Sequence, residues 1–97
     1  MDFKLKIMTE SQIQSKIAKR LRDNGWLVTK LIQTSMNGIP DLMAIRKGNV
    51  IFLEVKKPGE NASELQKYVI ENLNKAGVFS RVVTCVEDVD VHCYQYQ

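Results

Sequence analysis

Cysteine is scarce in this chain of 97 residues, where Cys85 and Cys93 are the only two. That is too few to staple a small secreted domain, so free thiols in a reducing, cytoplasmic setting are expected. Long apolar runs are missing as well. The longest uncharged stretch, Leu31 to Pro40, contains Gln33, Thr34, Ser35 and Asn37, far short of the roughly 20 apolar residues of a membrane span. No compact apolar block opens the chain. Phe3, Leu5 and Ile7 alternate there with Asp2, Lys4 and Lys6, which is unlike a signal peptide and reads as an extra strand or arm. Repeats, low-complexity tracts and linkers are also absent, so fibrous and collagen-like classes fall away and a single domain over residues 1–97 is expected. A chain this short has room for one small core. A functional site must then lie on the face or rim of one sheet, and a large substrate calls for a second copy of the chain.

Charge is present but unevenly spread. Residues 1–57 carry 11 basic and 5 acidic side chains, a net +6, whereas residues 58–97 carry 3 and 6, a net −3. A basic first part suggests a surface that meets polyanions, most economically nucleic acid phosphates, although many solvated surfaces show a similar excess.

Thr9 and Gln12 fit a capping box, and Ile13, Ile17 and Leu21 recur at helical spacing, which predicts a helix from about Glu10 to Asn24 ended by Gly25. Trp26 to Gln33 reads as a strand, followed by a loop at Ser35, Asn37 and Gly38. Asp41–Arg46 and Val50–Val55, split by Lys47, Gly48 and Asn49, predict a hairpin. Lys57 to Asn61 forms a loop. Ser63 and Gln66 repeat the capping box, so a second helix with Leu65, Val69, Leu73 and Ala76 as its apolar stripe runs to Gly77. Val78–Cys85 reads as a fourth strand. The tail from Val86 stays open, because Val89, Val91 and Cys93 alternate like a strand while the length also suits a short helix.

The hairpin concentrates charge. With Lys47 and Gly48 at the turn, Asp41 faces Glu54; with the turn shifted to Gly48 and Asn49, Asp41 faces Lys56. Either register places Asp41, Glu54 and Lys56 on one side of the sheet. Two carboxylates at facing positions repel each other unless something positive sits between them. A divalent cation such as Mg²⁺ or Mn²⁺ answers that need, being a hard ion that takes carboxylate and carbonyl oxygens and keeps positions open for a phosphate oxygen and a water. Lys56 beside it can orient that water and balance charge on the phosphate. The plainer alternative is a salt-bridged Glu54 and Lys56 on a wet sheet. Against it, Phe52, Leu53 and Val55 make this strand look covered on both faces, where unpaired charges are costly.

Gly38-Ile39-Pro40-Asp41, then Glu54-Val55-Lys56, then Ser63 and Gln66 resemble the motifs of the PD-(D/E)XK nuclease superfamily, and specifically its VRR-NUC domain. Upstream, Glu10-Ser11-Gln12-Ile13-Gln14 is similar to that family's first-helix motif, and the likeness extends over about Thr9 to Val86. The resemblance implies an α/β fold with an αβββαβ core, a mixed sheet flanked by helices. It implies a metal-dependent endodeoxyribonuclease, with Asp41, Glu54 and the Val55 carbonyl binding Mg²⁺ or Mn²⁺ and Lys56 as the catalytic lysine. Glu10 would hold a metal-bound water or a second ion, and Gln66 would orient Lys56 or the substrate. Stand-alone members, often viral, resemble homodimeric resolvases of branched, Holliday-junction-like DNA. That implies DNA as partner, a homodimer, and a viral protein working inside a host cell.

Two rivals remain: a nickase or restriction-type nuclease with another DNA preference, and a non-catalytic basic module whose acidic pair is structural. Elsewhere, Cys85, His92 and Cys93 lack a fourth ligand for zinc and are read as ordinary residues. Lys16, Lys19, Arg20 and Arg22 lie off the apolar stripe of the first helix and meet either phosphates or solvent. Lys57 falls on the sheet face opposite to Lys56. Trp26 reads as core. Phe3, Leu5 and Ile7 at one end, and Val89, Val91, Cys93 and Tyr94 at the other, look surplus to the core and so available for a partner.

Overall fold

The computed structural model describes residues 7–95; the predicted N-terminal strand or arm lies, apart from Ile7 and Met8, outside them. Helix α1 (Glu10–Asp23) starts where its sequence says it should. The Thr9 hydroxyl accepts from the Gln12 N–H at 3.1 Å while the Gln12 side chain accepts from the Thr9 N–H at 2.9 Å, so two of the otherwise orphaned first-turn donors are satisfied reciprocally. Ile13, Ile17 and Leu21 then bury one stripe of the helix against the sheet, each contributing roughly 1.5–3 kcal/mol of apolar burial.

Strands β1 (Leu27–Lys30), β2 (Leu42–Arg46) and β3 (Asn49–Val55) form an antiparallel meander. Helix α2 (Glu64–Lys75) then crosses over to β4 (Phe79–Val83), which pairs parallel to β3. The sheet order is β1-β2-β3-β4, so the expected αβββαβ core with a mixed sheet is what the chain adopts. Side chains alternate cleanly. Val28, Leu42, Ala44, Ile51, Leu53 and Val55 are buried on the α1 side, while on the other side Met43, Ile45 and Phe52 are only partly covered and Leu27 is exposed.

Several elements differ from expectation. Strand β1 stops at Lys30, because Leu31 donates once to the Asp41 carbonyl at 2.7 Å and the chain then turns away, leaving Ile32 85% exposed. Strand β4 is likewise shorter at both ends than Val78–Cys85. In α2 only Val69 of the predicted stripe is fully buried, with Leu65 and Ala76 exposed, since the helix covers a narrow part of the sheet. The tail resolves as a 3₁₀ turn (Val86–Val89) and a helix, α3 (Asp90–Gln95). Val89 and Cys93, four apart, both point into the core at 0% and 1% exposure, and Asp90 is ion-paired to Arg20 of α1. These two apolar residues are therefore core rather than surplus surface, whereas Val91 remains exposed.

Candidate active site

The hairpin chooses between the two registers through its turn. Lys47 (φ 49°) and Gly48 (φ 80°) both occupy the left-handed region, the geometry of a two-residue type I′ turn. Arg46 consequently pairs with Asn49 and Leu42 with Leu53. The ladder ends there; continued one and two steps beyond its last pair, the register would set Asp41 across from Glu54 and Pro40 across from Val55. Proline has no N–H, so the Val55 carbonyl lacks its ladder donor on that side. The Val55 N–H donates instead to the Asp41 carboxylate, Oδ2 at 2.9 Å. Asp41 is thereby held at the mouth of the hairpin by a backbone group of the strand that carries Glu54.

Glu54 is 1% exposed, and its Oε2 is buried without a hydrogen-bond partner among the described residues. Burial, then the charge and hydrogen bonding of Asp41, push its carboxyl up to about 8, with Lys56 pulling the other way and Glu10 adding the smallest push. Glu54 is one of three buried polar or charged side chains in the described chain, with Ser80 and His92. Its other oxygen, Oε1, accepts from Gln66 Nε2 at 3.1 Å. Lys56 follows at the end of β3, half-buried, its N–H donating to the Val83 carbonyl at 3.0 Å. No ion pair joins Glu54 to Lys56 among the described residues. The plainer salt-bridge alternative is therefore not the arrangement seen.

The donor chemistry fits a hard divalent cation. Two carboxylates, one with an unpartnered buried oxygen, and a carbonyl without a ladder donor offer oxygens only. Among the described residues no three His, Cys, Asp or Glu side chains converge as a metal-holding group, so Asp41 and Glu54 stand as a pair. Glu10, exposed at the first position of α1, influences Glu54 from a distance and is not gathered with them. The loop before Asp41 is held close by Gly38 (φ 83°): a Cβ there would lie 2.8 Å from Leu65 Cγ and 3.2 Å from the Leu65 carbonyl. Glycine lets that loop pack against the first turn of α2, which brings Gln66 to the site. Pro40 and Gly38 were the parts of the site that spacing alone did not assign a job. Carrying the hairpin register two residues further would have given Pro40 its role.

The sequence profile of the VRR-NUC domain matches residues 3–87. The chain is 30% identical over 63 residues to "Putative nuclease p44" of Acyrthosiphon pisum secondary endosymbiont phage 1, covering 64% of this chain and 68% of that relative. Among solved structures it is similar to one described as a VRR_NUC domain, with a TM-score of 0.78 and 29% identity over 91% of this chain and 97% of the other. A second, described as a VRR_NUC domain protein, shares the fold at a TM-score of 0.69 and 24% identity, covering 95% and 90%.

Proposed function

Since the chain belongs to the VRR-NUC domain family, a family of nuclease domains, we propose that it is a Mg²⁺- or Mn²⁺-dependent endodeoxyribonuclease acting on structured, branched DNA. One observation carries this reading: a buried Glu54 with an unpartnered oxygen set against Asp41. Burying two carboxylates together costs stability in the absence of a cation, so the arrangement makes physical sense as a binding site. Asp41, Glu54 and the Val55 carbonyl would hold the ion, and Glu10, exposed at the start of α1 and not gathered with them, would reach it only through a water. When bound, such an ion polarises a phosphate oxygen and lowers the pKa of a water.

The remaining steps belong to the protein. Gln66 fixes the rotamer of Glu54 through its Nε2 and keeps one carboxylate oxygen aimed inward. Lys56 extends from the same face of β3, and its ammonium neutralises charge that builds on the attacked phosphate and orients the attacking water. The proton released by the water passes to bulk solvent, since the Lys56 ammonium has donors and no lone pair to take it. The basic first part of the chain binds the phosphates on either side. As one site cuts one strand, two copies related by a two-fold axis give paired nicks across a symmetric junction.

Cleavage of labelled four-way junction, flap and linear duplex, each with Mg²⁺ and with EDTA, tests this reading. Metal-dependent cutting with a preference for the branched substrates is expected. Binding without cutting under any divalent ion overturns it in favour of a non-catalytic module.

A further inference from the structure

Lys56 and Lys57 are adjacent in sequence but leave β3 on opposite sides of the sheet. Lys56 goes with Glu54 toward α2. Lys57 goes with Val55 toward α1, where it lines a cleft of about 430 Å³. Lys16, which in the sequence has no visible connection to the hairpin, rises from α1 on the same cleft. Ile13, Pro58 and Val86 supply an apolar floor, and Glu87 is the one acidic residue in the lining. Neither lysine has an ion pair among the described residues, in contrast to Lys19, bound to Asp23 at 2.7 Å, and Lys75, bound to Glu71 at 3.0 Å.

Two unneutralised ammonium groups over an apolar floor select a ligand with spaced anionic groups and an uncharged planar or ring body. A nucleotide in a DNA strand has that composition. The volume lies within the roughly 300–1,000 Å³ of sites that enclose small organic molecules; it admits one nucleotide and excludes a duplex. Duplex DNA also keeps its base faces stacked inside, whereas an unpaired base can lay its face on Ile13 or Val86. Because the two lysines leave the end of β3 on opposite faces, a strand whose scissile phosphate meets Lys56 must bend over the end of the sheet to bring a following phosphate to Lys57, a path open to a flexible unpaired strand and closed to a stiff duplex.

We propose that this cleft holds an unpaired nucleotide of the cleaved strand beside the scissile phosphate, with Lys16 and Lys57 on its flanking phosphates. The inference rests on the nuclease reading for what happens at Lys56. It adds that the enzyme recognises a boundary between paired and unpaired DNA rather than continuous duplex.

The test measures binding apart from cutting. Fluorescent duplex with an unpaired tail, and the same duplex with blunt ends, are titrated with the Asp41→Asn protein in EDTA, with and without Lys16→Gln and Lys57→Gln together. Thermal melting checks that the lysine variants are folded. The double change should weaken tailed-DNA binding about tenfold or more and reduce its salt dependence by about 1.4 in log–log slope, at about 0.7 per single-strand phosphate contact. Blunt duplex should change less than about twofold on the same principle. Lys19→Gln with Lys75→Gln removes equal charge elsewhere and should leave the preference for tailed DNA intact. Lysine variants that bind tailed DNA as well as the parent, or that lose tailed and blunt DNA equally, overturn the proposal. Cleavage by the otherwise unaltered enzyme with Mg²⁺ is read separately, and the lysine changes should raise KM more than they lower kcat. If no divalent ion supports cleavage yet tail binding still depends on the two lysines, the nuclease reading falls and the cleft stands.

Discussion

Gln66 donates to Glu54 from an amide whose orientation is dictated by a different job. Its Oε1 accepts from the Ser63 N–H at 2.8 Å as half of the α2 capping box, and its backbone N–H donates to the Ser63 hydroxyl at 3.1 Å. With the oxygen committed to the helix start, the amide nitrogen must face the other way, onto Glu54 Oε1. The signal that starts α2 thus also positions a carboxylate of the site. We expect Gln66→Ala to lower kcat about 10-fold or more through misplaced Glu54, with a loss of about 0.5–2 kcal/mol in helix capping. Gln66→Glu keeps the capping acceptor but faces Glu54 with a second carboxylate. It should weaken metal-dependent stabilisation in thermal melts at pH 8 more than Gln66→Ala does, and equal effects of the two changes would reduce Gln66 to a cap.

Asp41→Asn and Glu54→Gln should each abolish cleavage while leaving the fold intact. Asparagine is chosen because its oxygen can still accept from the Val55 N–H, where alanine would orphan that donor. DNA binding should persist in EDTA, and removing one of two mutually repelling carboxylates should hold or raise the melting temperature of the metal-free protein. Single-turnover cleavage at near the parental rate by either variant would show that the ion sits elsewhere.

Lys56→Met retains most of the side-chain length and deletes the charge. Cleavage should fall at least about 100-fold while metal-induced stabilisation changes little. A rate within about twofold of the parent would leave Lys56 without a chemical role.

Stability without metal should depend on pH in two opposed ways. Glu54 is held up to about 8 in the folded chain against 4.5 for the free group, first by burial and then by Asp41, so the folded state retains a proton that the unfolded state releases. Its effect is to lower stability as pH rises from the ordinary carboxylate range through about 8. His92, buried at 1% exposure and edge-on to Phe79 with ring centroids 4.7 Å apart, is pushed below 6.5 by burial and then by Arg81. That costs stability as pH falls below the unfolded value. Melting curves from pH 5 to 9 should show both arms. Glu54→Gln should flatten the alkaline arm and His92→Leu the acidic one, and Mg²⁺ should stabilise more at pH 8 than at pH 6 because it competes with the Glu54 proton. An alkaline arm that persists in Glu54→Gln assigns it to another group.

How much of this was legible in advance follows from the range of the interactions involved. Helix α1, the hairpin and the start of α2 are written in signals a few residues long: Thr9 with Gln12, Lys47 with Gly48, Ser63 with Gln66. Asp41, Glu54 and Lys56 on one side follow from strand parity alone. The choice of register needed the backbone angles of Lys47 and Gly48, since glycine suits either of the two turns considered. The fate of the tail depended on Arg20, 70 positions away from Asp90, and on a core that had space for Val89 and Cys93. No local pattern carries that information. The meeting of Lys16 with Lys57 is likewise a product of α1 packing on the α1-side face of β3.

Paired cutting of branched DNA is the prediction that depends most on assembly. The structure removes part of the original case for a dimer, because Val89 and Cys93 are consumed by the core. It supplies another part. Leu27, Ile32, Met36, Leu65 and Tyr68 stay between 49% and 85% exposed and are apolar side chains that a partner could cover. Pairing through the free edge of β1 is discouraged, since the strand is short, carries Lys30, and has its Val28 carbonyl already occupied by Arg22 at 3.1 Å. Association should therefore use side-chain faces and follow a two-fold, giving two metal sites on one basic surface. Sedimentation at micromolar concentration should report twice 11.1 kDa. On a plasmid carrying a cruciform, linear product should appear without prior build-up of nicked circles, as expected when both nicks come from one bound dimer. A monomer that nicks cruciform and plain duplex at equal rates would refute dimeric action on branched DNA, and the metal site at Asp41 and Glu54 would then belong to a simple nickase.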